Sequence, residues 1–248
     1  MLSKELIKKK IIEACPLNYI VSEQKITNDE KMISFSKIID DQNNAIAVAK
    51  LNGLYNNFIR NGNANIKISS IDNILYGIRK NDFDYTVTDH NINSIFPEVK
   101  PEDLKLNAPI IYNTEADIEE GIAYVKRYLK EFGEDYFAYW NDIRAFLPFL
   151  ESNNIDFLNN LLVGKGENRK LIIWKLCNHP KYELFRNETF KSYEDYLQSN
   201  PNDNYEKRAF KEFKNVVKRL EKTSPLYEWD EKYLEPKPFK GVMPVIVY

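Results

Sequence analysis

The chain has 248 residues, 43% hydrophobic and 13% aromatic, with a formal net charge of −2. That is ample apolar surface for one large or two modest packed domains, so disorder is not expected, and the near-neutral balance gives no general attraction to nucleic acid or an anionic membrane. No run reaches the roughly 18–20 apolar residues of a membrane span.

The basic start, Met1 to Lys10, is followed only by Ile11, Ile12 and Ala14 to Leu17, broken by Glu13 and Pro16, which is too little for a secretory leader. A cytoplasmic location is therefore the expectation. There, Cys15 and Cys177 are expected as buried free thiols. Only 8 glycines occur, about half the usual share; with abundant Asn, Ile, Lys and Tyr, this reads as AT-rich coding bias.

Ser3 to Ala14 has the spacing of an amphipathic helix, with Leu6, Ile7, Ile11 and Ile12 inward and Lys4, Lys8 and Lys9 outward, and Pro16 breaks it. From there to about Asp89 the period changes. Tyr19–Val21, Met32–Ile39, Ala45–Leu51, Tyr55–Arg60, Ala64–Ser69, Ile74–Ile78 and Tyr85–Val87 are short β-branched or aromatic runs between Asn- and Asp-rich clusters, of which Ala45–Leu51 fits a helix equally well. Asn61-Gly62-Asn63 is the strongest hairpin signal, and connections this short favour an antiparallel meander. Asn91 to Pro109, with three prolines, reads as a connector.

Beyond it, Thr114 and Asp117 form a reciprocal capping pair before Ile118, Ile122, Val125, Leu129 and Phe132 at helical spacing. The aromatic run Tyr136, Phe137, Trp140, Ile143, Phe146 and Leu147 is expected to stop at Pro148. Helical segments follow at Ile155–Val163 and Leu171–Cys177, at Lys191–Gln198 with Ser192 and Asp195 as a second capping pair, and at Asn202–Lys222 with Phe210, Phe213, Val217 and Leu220 on one face. The fold class expected is thus α+β: an N-terminal helix and antiparallel β-meander over residues 1–110, then a mostly α-helical half over 111–248 with an irregular tail, packed on the meander around one shared core.

Charge is uneven. Ile111 to Asn160 holds 4 basic and 10 acidic residues, and Leu161 to Thr223 holds 14 basic and 9 acidic. Lys207, Lys211, Lys214, Lys218 and Lys222 are interleaved with Glu206, Glu212 and Glu221, which favours a solvated helix face over a phosphate-binding one. Asp84, Glu98 and Lys100 mimic the carboxylate and Glu-x-Lys set with which many nucleases hold a divalent metal. Pro97 and Pro101 flank that Glu-Val-Lys and make it a poor central strand. Cys177 and His179 are too few for zinc, and a histidine there is better placed to cap a helix C-terminus. Gly164-Lys165-Gly166 lacks phosphate-loop spacing and reads as a helix–helix turn.

The remaining feature is the acid surplus beside the aromatic run. Acids at helix starts complement the dipole without further purpose, but Glu119, Glu120, Glu134, Asp135 and Asp142 also suit a docking patch for a basic protein. The function expected is a non-enzymatic, cytosolic protein-interaction module of the immunity type, neutralising a partner enzyme by covering it. No metal or cofactor is expected, and neither nucleic acid nor membrane as partner. The alternative is a metal-dependent nuclease, or another nucleic-acid enzyme, using Asp84, Glu98 and Lys100.

Overall fold

The computed structural model describes residues 3–25, 31–40, 45–51, 54–55, 58–59, 62–78, 87–88, 110–111, 114–128, 130, 134–162 and 166–237. Helix α1 (Lys4–Glu13) begins where Ser3 Oγ accepts the Leu6 N–H at 3.2 Å and ends three residues before Pro16. Ile7 and Ile11, one turn apart, are buried, whereas Leu6 is half-buried and Ile12 is exposed.

Strands β1 (Ile20–Lys25), β2 (Lys31–Asp40), β3 (Ala45–Leu51), β4 (Leu54–Tyr55), β5 (Phe58–Ile59) and β6 (Gly62–Lys67) lead into helix α2 (Ser69–Leu75). Strands β7 (Val87–Thr88) and β8 (Ile110–Ile111) follow. The antiparallel order is β1-β2-β3-β6-β7, with Val21 opposite Phe35, Phe35 opposite Ala49 and Ala49 opposite Ala64. Phe35 and Ile66 face the core, and Ile38, on the other face of β2, is exposed.

The expected α+β architecture built on a β-meander is overturned, because most of the described residues are helical. Beyond β3 the strands do not follow one another as a meander. The chain leaves after β3 and places β4 and β5 with β8 in a separate set, and β3 pairs with β6. Asn61-Gly62-Asn63 is therefore no hairpin tip: Gly62 and Asn63 are paired strand residues opposite Leu51 and Lys50. Ile74–Ile78 is no strand either. Ile71 and Leu75 are one helical turn apart and both buried, and the chain turns at Tyr76 and Gly77, where φ is +72°. A short β-branched run fits a strand and one buried turn of helix equally well, and packing decides between them.

The helical body comprises α3 (Glu115–Tyr128), α4 (Glu134–Trp140), a 3-10 turn (Ile143–Phe146), α5 (Leu147–Leu150), α6 (Ile155–Leu161), α7 (Gly166–Leu176), α8 (Tyr182–Ser199) and α9 (Asn204–Leu220). The Thr114–Asp117 capping box is formed: the Thr114 N–H donates to Asp117 Oδ2 at 2.7 Å, and the Asp117 N–H donates to Thr114 Oγ1 at 3.3 Å. Asn154 and Asp203 cap α6 and α9.

Pro148 does not stop a helix. It sits in the first turn of α5, where its missing N–H costs nothing. Nor does a helix start at Ser192, because α8 runs unbroken from Tyr182. Helix α7 ends in a Schellman turn on Asn178, at φ +50°, with the His179 N–H donating to Trp174 O and the Asn178 N–H to Lys175 O.

The core centres on Trp140, fully buried, with ring centroids of Tyr139, Phe146 and Phe149 at 4.8, 4.8 and 5.7 Å. Ile118 is buried and Ile122 half-buried against it. Side chains of both the first and second stretches, Ile7, Phe35, Ile66, Leu161 and Phe213 among them, belong to one buried cluster. Each large side chain taken fully out of water contributes roughly 1.5–3 kcal/mol.

Two buried cations also knit the body. Arg169 donates to Asp72 Oδ1 at 3.1 Å and to Leu162 O at 2.5 Å, and Lys170 donates to Ser152 O at 2.8 Å under the Trp174 ring. Burial holds the Lys170 ammonium down at about 8. No described helix is long and apolar enough to cross a membrane.

Candidate binding cleft

Four of the acids from Glu115 to Asp142 are tied to other parts of the chain. Lys10 of α1 reaches Glu115 at 2.7 Å and Glu119 at 3.1 Å. Glu134 accepts from Tyr19 Oη at 2.7 Å and is paired with Lys37 of β2. Asp142 takes the Arg144 Nε and Nη2 at 2.9 Å each and Lys237 at 3.1 Å, and it also caps the 3-10 turn; the Arg144 and Lys237 bonds outweigh burial and hold its carboxyl below the usual range.

Asp135 is half-buried in the first turn of α4, Glu120 lies on α3, and the Glu120 side chain is outside the described residues. Apart from the neighbouring Arg144, the cations described against these acids come from α1, β2 and the segment after α9, which holds Lys237, rather than from the basic stretch Leu161 to Thr223. Asp84, Glu98 and Lys100 all lie outside the described residues. Among the described residues, no three His, Cys, Asp or Glu converge as a metal site would need.

Cys15 and Cys177 are both free, and burial pushes the Cys177 thiol up to about 12, far from a reactive thiolate. The His179 imidazole does not reach helix carbonyls. It stacks on Trp174 at 4.3 Å, meets Trp229 edge-on at 4.3 Å, and accepts the Lys181 N–H on Nδ1. Its Nε2 lies 3.1 Å from Glu151 Oε1, off the line a hydrogen bond needs. Burial, more than any charge, lowers its pKa to about 4.

Four helices meet at an open cleft of about 460 Å³. Its wall is laid out by helical spacing. Glu167 and Asn168 come from the first turn of α7; Tyr193 and Tyr196, three apart, from α8; and Tyr205, Glu206, Ala209 and Glu212 from one face of α9. Ile155 and Asn159 of α6 complete it.

Gly166 sets how closely α6 and α7 approach. A Cβ there would stand 2.6 Å from Leu158 Cβ and 2.7 Å from Leu158 C, so only glycine fits, and its N–H donates to Asn159 Oδ1 at 2.9 Å. Ala209, small and between two glutamates, leaves the space open.

The floor of the cleft is acidic and partly dry. Glu167 Oε2 accepts from Tyr193 Oη at 3.0 Å. Burial first, and then the like charge of Glu206, raise the Glu167 carboxyl above its usual range against that hydrogen bond. Asn168 Oδ1 is buried and meets no donor among the described residues. The rim is the opposite, since Ile155, Tyr196 and Tyr205 are 44%, 45% and 60% exposed. Tyr196 is held in place by donating to Asp203 Oδ2 at 3.1 Å, and Tyr193 is braced by stacking on Phe210 at 5.2 Å.

No local pattern in the sequence marks this cleft, although Gly166 reads there as part of a helix–helix turn. Glu206 and Glu212 read locally as neutralisers of a lysine-rich face, and the tyrosines lie on two helices joined by a turn. The one available signal was Tyr193, Tyr196 and Tyr205 converging across an α8–α9 hairpin. Compared with known protein families, with curated proteins and with solved structures, the chain matches none of them.

Proposed function

We propose that the chain is a non-enzymatic protein-binding module that docks a basic partner through the cleft between α6, α7, α8 and α9. The observation that carries this reading is the pairing of an exposed apolar and aromatic rim (Ile155, Tyr196, Tyr205) with an acidic floor. Exposed tyrosines surrounding a polar depression suit protein recognition, because each offers a large rigid face and a hydroxyl at little entropic cost. The acids around α3 and α4 supply less, because the chain's own lysines and arginine already occupy several of them. An immunity-type protein that covers a partner enzyme in the cytoplasm is the form of binding this reading takes.

The test is site-specific photo-crosslinking in the cell of origin, with the crosslinking residue placed at Tyr205, at Ile155 or at Glu119. One and the same protein, captured from the first two positions but not the third, and lost on Glu167→Lys/Glu206→Lys, is the expected result. Capture from Glu119 alone would place the docking surface on α3 and overturn the proposal.

A further inference from the structure

Building on the reading of the chain as a protein-binding module, we propose that the cleft receives a single cationic side chain, arginine or lysine, from a basic segment of the partner. The charged head lies between Glu167 and Glu206, and the aliphatic stem lies against Tyr196 and Tyr205.

Burial and the neighbouring charge of Glu206 make Glu167 costly to ionise, and a cation seated between the two carboxylates relieves that cost, so the floor selects positive charge and rejects anions. Acids in the first turn of a helix have a plainer purpose, complementing the dipole, and Glu167 and Glu206 both occupy such positions. A carboxylate serving only that purpose has its ionised form stabilised, whereas Glu167 is pushed the other way. Nearby charges are Lys170, which draws Glu167 down slightly, and Glu212 on the same face of α9.

The buried Asn168 Oδ1, which meets no donor among the described residues, is a further acceptor, and a guanidinium or ammonium brings several N–H groups on one head. The rim decides between a side chain and a free amine. Three exposed apolar faces around the mouth are left wet by a small amine but are covered by the stem and backbone of a peptide.

The probe is an N-acetylated, C-amidated tetrapeptide carrying one arginine, titrated into the full chain by calorimetry or by amide shifts of Gly166 and its neighbours. The same peptide with citrulline in place of arginine removes the charge at constant shape, and agmatine supplies the head without a backbone. The arginine peptide is expected to bind at least about tenfold more tightly than either comparator, and to lose at least about tenfold on Glu167→Gln/Glu206→Gln. That loss should leave the far-ultraviolet spectrum unchanged and exceed the effect of Glu119→Gln.

Equal binding of the citrulline peptide overturns recognition of charge. Binding that survives the double glutamine variant overturns the location, and agmatine as tight as the peptide overturns a peptide as the source. Failure here with successful crosslinking at Tyr205 would leave the docking surface standing and remove only its cationic occupant.

Discussion

The same residue type serves opposite ends in two regions of this molecule. Around α3 and α4, Glu115, Glu119, Glu134 and Asp142 each meet a cation from a distant stretch: Lys10 on α1, Lys37 on β2, or Lys237 near the end of the described chain. Between α7 and α9, Glu167 meets a tyrosine hydroxyl and the like charge of Glu206, inside a partly dry cleft. An acid-rich stretch therefore says little about where a partner binds. What matters is whether the fold has already answered the charge. The first group ties the strands and the chain's flanks to the helical body, whereas the second is the pair proposed above to meet a partner's cation.

The broadest way to break this comparison is to remove the core that both regions share. Trp140, at the opposite end of α4 from Glu134, is fully buried among Tyr139, Phe146 and Phe149. Trp140→Ala should lower unfolding free energy by about 3–5 kcal/mol in a denaturant titration and abolish peptide binding along with it. A loss under about 1 kcal/mol would mean that the two regions do not rest on one core.

The next effect sharpens the comparison by asking whether a buried charge site of the structural kind shows itself in pH. His179 is stacked on Trp174 and met edge-on by Trp229, with Glu151, Lys181 and Lys170 around it, and its pKa is lowered to about 4 in the fold against 6.5 in the open chain. The unfolded chain then binds more protons between those values, so stability is whole above pH 6.5 and falls as pH drops towards 4. The loss is on the order of 3 kcal/mol across that window. His179→Phe keeps the stack and removes the proton, so its acid limb should be flatter than that of the parent by that amount. Parallel limbs would contradict the assignment.

Smaller again is the effect of prising apart two of the helices that build the cleft. Gly166→Ala must push α6 from α7, because the new methyl stands within 2.8 Å of Leu158 and Asn159 atoms. We expect a cost of about 1–3 kcal/mol and, in the fraction that stays folded, weaker binding of the arginine peptide. Unchanged stability would show that the helices part freely and that the cleft has no fixed width.

How much of this was legible follows from range. Local rules carried the Ser3 cap of α1, the Thr114–Asp117 box, the apolar stripe of α9 and the burial of Trp140, because each depends on residues within a turn or two. The same local rules misread Ile74–Ile78 as a strand and Ser192–Asp195 as a helix start. In both, a pattern true of isolated segments lost to packing: Ile71 and Leu75 bury as one helical turn, and Phe190, Tyr193 and Leu197 lean on α9 as part of a longer helix. The strand order, with β3 beside β6, depends on pairings no turn motif specified. The cleft was invisible for the same reason, since Glu167 and Glu206 meet only through the packing of α7 on α9. The expected docking acids were legible as charges, but the lysines that meet them, at 10, 37 and 237, lie far away in sequence.

The most direct test of the central claim needs no partner. The same isosteric change, Glu to Gln, is made once in each region, and the urea midpoint of each variant is compared with the parent at neutral pH and low salt. Glu134→Gln can still accept from Tyr19 but loses the attraction of Lys37, so its midpoint should fall, by the modest amount typical of a partly exposed ion pair. Glu167→Gln can still accept from Tyr193 but sheds a desolvated charge and its repulsion by Glu206, so its midpoint should rise. Opposite signs are the result this account predicts. A fall in both midpoints would contradict it, showing that the cleft acids, like those of α3 and α4, are there to hold the fold together.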